Sequence, residues 1–492
     1  MNSHSNTPVL EKLKENLDYI GQQLGIGTSF DVITREFKIG RKDGAFIFID
    51  GFVDANILTL IMKTFSNITQ KEIVPNTLDK IKLHFLPYGE ISPVDNLEEA
   101  IKELLAGLLL FFIDGENNAL LIDIRQYPSR SPEETDIEKV TRGSRDGFVE
   151  TLLFNVTLIR RRIRDPKLRT EIFKIGTRSQ TEVCLLYIED IINPLILDRI
   201  RERLLKIDVD GLPMAEKSVE EFITSGFWNP FPEVRYTERP DVAAVHLLEG
   251  HACIVVDTTP AVILAPVTYF HHMQHAEEFR HTPIVGTYIG LVRFIGILIS
   301  IFLLPLWLLV AKNPEILPKT LQFLGPKETP NVPLFIQFII ANVGIDLLRI
   351  ASIHTPSPLA TALGLVGALL IGQIAVDVGL FSPEVLLYTG LVAVGVFSTP
   401  SWELGLANRL VTIVLLLFTG LFGIYGFTAG LIILIFRLLK THSFGIPYLW
   451  PLIPFDAASL FNVLIRKPVP VKGFRPKILK TRDSDTSPPG EK

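Results

Sequence analysis

The sequence predicts a soluble α/β N-terminal half made of two small subdomains, followed by a polytopic α-helical membrane domain of four to six spans. Three observations predict it. Charge is concentrated in residues 1–285 and is sparse in 286–440. The sparse region holds several apolar runs in succession, which only a membrane-embedded helical bundle can satisfy. The charged region alternates helix-period and strand-period segments with turn residues between them. Boundaries are expected at 1–130 and 131–282 for the two α/β subdomains and 283–440 for the helical membrane domain. Residues 441–492 are expected as a basic cytoplasmic tail with a disordered end.

The apolar block opens with Gly286 to Ala311, in which Arg293 is the only charge. Roughly 20 mostly apolar residues cross about 30 Å of hydrocarbon, and this run has them. Leu359–Phe381 and Val385–Pro400 follow, then Leu410–Leu439 with Arg437 at its end. Val332–Ile350 is apolar too, but carries Asp346 and Arg349. The spans number four if that segment lies at the interface and Leu410–Leu439 crosses once. They number six if it crosses and the last run breaks near Gly423–Gly426. Tilt can absorb a helix of about 30 residues, which favours four.

The chain has 492 residues and a formal charge of −5, which argues against nucleic acid as a partner. Its two cysteines, Cys184 and Cys253, lie in apolar stretches that read as strands. Buried free thiols are expected there over a disulfide, in keeping with a reducing compartment. The N-terminus lacks the basic-then-apolar pattern of a signal peptide, so the soluble half is expected in the cytoplasm, with the first span as the insertion signal.

In the soluble half, Val9, Leu13, Leu17, Ile20 and Leu24 fall at helical spacing over 8–24. Strands are expected at Phe30–Ile39 and Ala45–Ile49, turned by Arg41 to Gly44. Asp54 caps a helix running to Phe65, and Val94–Leu105 is helical. Ten apolar residues, Leu104–Ile113, are too few to span a bilayer, so Leu108–Ile113 and Ala119–Ile124 read as core strands. In the second subdomain, Phe148–Arg164 reads as a helix with cations in its last turn. Strands Glu171–Ile175 and Glu182–Ile188 precede a helix over Asn193–Leu205, with Asn193 as cap and Pro194 first. Ala243–Leu248 and Ala252–Asp257 read as a hairpin around Glu249 and Gly250, followed by a strand at Val262–Ala265.

Catalysis leaves no trace: no P-loop, HExxH, GxSxG or paired CxxC occurs, and the chain is not expected to be an enzyme or to bind a cofactor or metal. His271 and His275 stand one helical turn apart, a zinc-compatible spacing, but a short interfacial helix accounts for them. Glu238, Arg239 and Asp241 surround Pro240 and read as a structural ion-pair corner; with Arg142 and Arg145 they are the candidates for a subunit contact. Inside the membrane block, ionisable groups are costly and usually face a bundle interior or a water path. Asp346 and Arg349, three residues apart, are placed to pair with each other; with Asn342 one turn earlier they are candidate pore or gating residues, Asn342 and Asp346 near a mouth. Gln373 and Asp377 are one turn apart and are candidates for a pore wall, an interfacial place for Asp377 being the alternative. Arg293 can snorkel. Glu403 and Arg409 read as a solvated loop. Gly364, Gly367, Gly372 and Gly379 permit close helix approach. The basic residues after Ile465 place the C-terminus in the cytoplasm, so the crossings are even in number.

These residues form a set. Arg142–Ile163 (with Arg142 and Arg145), Tyr187–Pro194, Asn229–Asp241, Leu247–Pro260, Leu365–Pro383 and Ser443–Phe455 resemble, in order and over nearly the whole chain, the A subunits of bacterial spore germinant receptors, the GerA family. The resemblance implies an inner spore membrane protein with its N-terminal domain and tail on the core side. It implies a homo-oligomer, with a pentamer as the expected form, making an ion channel for monovalent cations that amplifies germination. The implied partners are a small membrane protein or receptor B and C subunits, and the dipicolinic-acid channel proteins. Ile350 to His354 departs from the nutrient receptors, which usually carry an acidic residue there. The alternatives are a nutrient receptor A subunit answering a ligand-bound partner, and a non-conducting assembly protein for the dipicolinic-acid channel.

Overall fold

A computed structural model describes residues 7–74, 76–86, 89–127, 138–224, 226, 228–316, 318, 325–326, 330–354, 372–468 and 473–486. The chain divides into two compact units, one of residues 1–225, 234–266 and 469–492, the other of 226–233 and 267–468. The first unit holds both α/β subdomains. The second begins earlier than the expected 283, because the loop at 226–233 and the histidine segment pack with the helices.

In the first subdomain the strands are β1 (Val32–Ile39), β2 (Lys42–Ile49), β3 (Glu90–Val94), β4 (Leu109–Ile113) and β5 (Ala119–Asp123). They form one antiparallel sheet in the order β1-β2-β4-β5-β3. Side chains alternate between faces along a strand. On one face Ala45, Ile47, Leu110 and Phe112 pack under the helices Leu13–Leu24 and Leu97–Leu105. On the other, Phe46, Leu109, Phe111 and Ile122 pack on Ile61 and Phe65 of the helix Ala55–Ser66. A strand covered on both faces must be apolar throughout, and Leu109–Ile113 is buried along its length. Asp54 caps its helix as expected, accepting from Asn56 N at 2.8 Å and Ile57 N at 3.1 Å.

The second subdomain holds β6 (Leu168–Ile175), β7 (Thr181–Ile188), β8 (Arg235–Thr237), β9 (Ala252–Val256) and β10 (Val262–Ala265), in the order β6-β7-β9-β10-β8. Leu152, Val156 and Ile159 give the helix Leu152–Arg162 its buried stripe. Asn193 caps Pro194–Leu205 through Leu195 N at 3.0 Å. One element is corrected. Residues 243–248 are not a strand but part of the helix Pro240–Glu249, and β9 pairs with β10 instead. Pro240 opens that helix and Gly250, at φ 98°, closes it, the start and stop signals of a helix. Cys184 and Cys253 are free and buried, and burial pushes both thiols well up.

The two subdomains are tied by a buried ion pair. Arg160 donates Nε to Asp31 Oδ2 at 2.5 Å and Nη2 to Oδ1 at 2.9 Å, while Thr170 Oγ1 donates to Oδ1 at 2.6 Å. The tail is corrected as well. Its described part from 473 to 486 is folded onto this unit, with Asn193 Nδ2 donating to Leu479 O at 3.0 Å and Arg482 N to Ile191 O at 2.9 Å. Residues 487–492 lie outside the described residues.

In the second unit, three helices among the described residues are long and apolar enough to cross a membrane: Pro283–Lys312, Leu334–Ala351 and Trp402–Lys440. Pro383–Phe397 is apolar but spans only about 22 Å at 1.5 Å per residue. Trp402–Lys440 is two arms. Gly423 has φ 60° and ψ −134°, outside the helical region. A Cβ on Gly430 would lie 2.8 Å from Leu415 Cδ2, where a straight helix would separate those residues by about 22 Å. The chain therefore reverses at Gly423, and residues 424–440 run back along 402–422. The single crossing favoured for this run is replaced by a hairpin. The run Leu359–Phe381, with Gly364 and Gly367, lies largely outside the described residues.

Side-chain contacts fix the directions. At the far end, Lys312 Nζ donates to Gly420 O and lies 5.9 Å from the Phe335 ring. Gln337 Oε1, near the start of the helix Leu334–His354, accepts from Ser382 N at 2.7 Å. At the near end, Arg349 lies 5.4 Å from the Phe397 ring and 4.4 Å from the Trp402 ring. Between them Gly395 and Gly296 bring two helices together, a Cβ on Gly395 meeting Gly296 O at 2.5 Å. Trp307, Phe338 and Tyr388 fill the core of the far half.

Candidate functional site

Apolar packing supplies a low-dielectric interior, so any charge inside it needs a partner. The bundle holds such a group. Arg409 stands in the second turn of the Trp402–Lys440 helix with its side chain 5 % exposed. Its Nε points at Asp346 Oδ1 and Oδ2, at 3.3 and 3.4 Å, and Nη2 donates to Asn342 O at 2.8 Å. Asn342 is fully buried and donates Nδ2 to Phe338 O at 2.6 Å. Among the described residues, Asn342 Oδ1 and Arg409 Nη1 have no hydrogen-bond partner. Asp346 remains 34 % exposed. The arrangement is a charged, incompletely satisfied cross-link between two membrane helices.

Two expectations change here. Asp346 does not pair with Arg349; it faces Arg409, while Arg349 stacks on Trp402 and Phe397. Arg409 is not in a solvated loop. Its helix starts at Trp402, capped by Ser401 Oγ, which accepts from Leu404 N at 3.3 Å, so Arg409 lies about two turns inside. Polar groups continue around it. Asn408 Oδ1 accepts from Tyr269 Oη at 3.3 Å, and Thr412 Oγ1 donates to Ser300 O at 2.8 Å. His272 Nδ1 lies 3.1 Å from Ser401 Oγ. His271 and His275 instead accept from backbone N–H groups, of Thr268 at 3.0 Å and Glu277 at 3.2 Å. Burial pushes the Tyr269 hydroxyl up to about 12, against the Asn408 hydrogen bond.

A charged cross-link inside a bundle, with an α/β unit on the same chain, is an architecture open to many functions, and the comparisons narrow it. The family described as Bacillus/Clostridium GerA spore germination protein matches residues 18–478. The chain belongs to the GerA family. Stage V sporulation protein AF of Bacillus subtilis (strain 168) is 46 % identical over 469 residues, covering 95 % of each chain. Spore germination protein KA of the same strain is 32 % identical over 466 residues, 93 % of this chain and 85 % of the relative. Among solved structures, the N-terminal domain of the A subunit of the Bacillus megaterium spore germinant receptor GerK3 is 31 % identical, with a TM-score of 0.43. It covers 54 % of this chain and 99 % of that one.

In this GerA-family chain the remaining candidates fall in separate places. Gln373 and Asp377 lie on a helical segment, residues 372–377, and both are exposed. The residues before it, 355–371, are outside the described residues. Arg239 is buried, held by Asp241 through Nε at 3.0 Å and Nη2 at 2.8 Å, and by the carbonyls of Glu138 at 3.1 Å and Ser144 at 3.0 Å. The corner is thus knit inside its own subdomain. Glu238 is half-buried, while Arg142 and Arg145 are exposed. The sequence reading missed Arg409, whose position just after a Pro-Ser-Trp turn suggested a loop. A Ser401 cap directly ahead of an apolar run was the signal that could have found it.

Proposed function

We propose that this protein is an ion-conducting membrane subunit of a spore germination complex, in which the Arg409–Asp346 cross-link holds the conducting path closed. The observation that carries the reading is a buried arginine bound to an acid and a backbone carbonyl across two apolar helices. Such a group is expensive in hydrocarbon and is retained where a path or a switch needs it. The exposed Gln373 and Asp377, with the part-exposed Asp346, favour a homo-oligomer, a ring of copies in which such polar groups and carboxylates meet a shared axis and favour cations. Residence in the inner spore membrane is supported by the likeness to a sporulation protein, and a core-side N-terminal unit and tail by the basic residues after Ile465. Work with further membrane subunits, or with the dipicolinic-acid channel proteins, belongs to the same reading.

Arg409→Gln tests it. A cross-link worth about 1–2 kcal/mol shifts a two-state balance by about 5–30-fold. Potassium leak from liposomes carrying the variant is therefore expected to rise by about that factor over wild type. An unchanged leak from variant protein that elutes like wild type would remove the cross-link from the gate. A nutrient receptor A subunit is the second reading, favoured by the 32 % identity to a protein named for spore germination; dependence of germination on one nutrient would select it.

A further inference from the structure

Beyond Lys440 the chain does not run off the bundle. The pair His442–Ser443 with Ile446–Pro447 folds it back, and Tyr448 O accepts from Tyr269 N at 2.8 Å. A helix, Ala457–Leu464, follows, capped by Asp456, which accepts from Ser459 N at 3.3 Å. At its far side Arg466 N donates to Thr287 Oγ1 at 3.1 Å, in the second turn of the first membrane helix. The Arg466 guanidinium donates to the carbonyls of Glu278 at 3.0 Å and Phe279 at 2.8 Å, and to that of His281. The segment is thus pinned at both ends to the near end of the bundle.

What lies between the pins is amphipathic. Val463 packs inward with Phe231, Leu438 and Tyr448. Leu452, Ile453 and Ile465 face outward, with Phe455 71 % and Phe461 52 % exposed. This outward face continues the exposed apolar side of the first membrane helix, where Ile284 and Tyr288 project. Trp228 is exposed at the same end, its neighbour Asn229 donating Nδ2 to Thr441 Oγ1 at 3.2 Å. Lys467, 5.9 Å from the Phe461 ring, and Lys440 are exposed cations. The nearby acids are engaged: Glu277 with His281 at 3.0 Å, Glu278 with Arg293, and Asp456 in its cap.

We propose that residues 452–467 lie in the membrane–water interface, seated on anionic phospholipid. Outward aromatic and aliphatic groups flanked by lysines are the composition of an interfacial element, and its continuity with the lipid-facing side of the bundle makes lipid the occupant. The function proposed above is not needed for this.

The test uses the full chain in vesicles of phosphatidylcholine with phosphatidylglycerol. Phe455→Cys and Phe461→Cys each receive a spin label; Cys184 and Cys253 are buried and stay unlabelled. Greater access to oxygen than to a water-soluble nickel chelate, at a depth near the headgroup–acyl boundary, is expected at both positions. Access to the nickel chelate as free as in water would overturn the proposal. Protection from both would overturn it too, in favour of a contact between copies. Anionic choice is read from the fraction of spin-labelled phosphatidylglycerol against phosphatidylcholine held by the protein. Lys440→Gln and Lys467→Gln are each expected to lower the preference by up to about fivefold. Equal preference in wild type and the double variant would overturn the anionic part.

Discussion

Gly426→Val is expected to abolish the folded membrane unit. A Cβ at Gly426 would overlap Phe418 O and lie 3.0 Å from Phe422 Cβ. The first is a backbone atom of the opposing arm, which cannot move without opening the hairpin. Gly423, with φ 60° and ψ −134°, provides the reversal itself in a region that side chains rarely adopt. The loss should exceed about 4 kcal/mol, the scale reserved for broken packing and backbone strain. The readout is the yield of monodisperse detergent-solubilised protein. Gly344→Ala is the control, since nothing lies within 4 Å of its added Cβ, and it should behave as wild type. Normal yield and stability for Gly426→Val would mean that the two arms are not packed as a tight hairpin.

Arg160→Met should destabilise the soluble unit by about 3–5 kcal/mol, because it leaves the Asp31 carboxylate buried without its cation. Both side chains are 1 % exposed, so water cannot substitute. Asp31→Leu combined with Arg160→Met removes both charges and should recover much of the loss, apart from the Thr170 hydroxyl that Asp31 accepts from. Chemical unfolding of the two variants and wild type gives the comparison. Equal destabilisation by the single and double changes would assign the cost to packing and not to the stranded charge. Since the pair joins β6 and the helix Leu152–Arg162 to the segment leading into β1, the single variant should also loosen one subdomain from the other.

The elements legible in the sequence were those set by local chemistry. Asp54 and Asn193 announced their helices as caps, and the unbroken apolar run Ala45–Ile49 gave a strand with two covered faces. The apolar runs declared the membrane unit because no other solvent suits them. What stayed hidden depended on distant partners. Residues 243–248 are a short apolar run ahead of a glycine, ambiguous between strand and helix by pattern alone, and they pack as a helix, since β9 finds its partner in β10. Asp346 had a cation three residues away in Arg349, yet its actual partner is 63 residues further along. A helical neighbour at that spacing contributes only a few tenths of a kcal/mol, which an arginine fixed inside the bundle outweighs. The Gly423 reversal was visible only as a cluster of glycines. The fold of the tail was invisible, because its anchors, the Asn193 side chain and the Ile191 carbonyl, lie far back along the chain.

The central claim is that this chain conducts cations when it assembles. Single-channel recording in planar bilayers, with purified oligomeric protein under a potassium chloride gradient, tests it most directly. Discrete conductance steps are predicted, with a reversal potential on the potassium side and a greater open fraction for Arg409→Gln. A silent bilayer, from protein shown to be inserted, folded and oligomeric, would contradict the account and leave an assembly role.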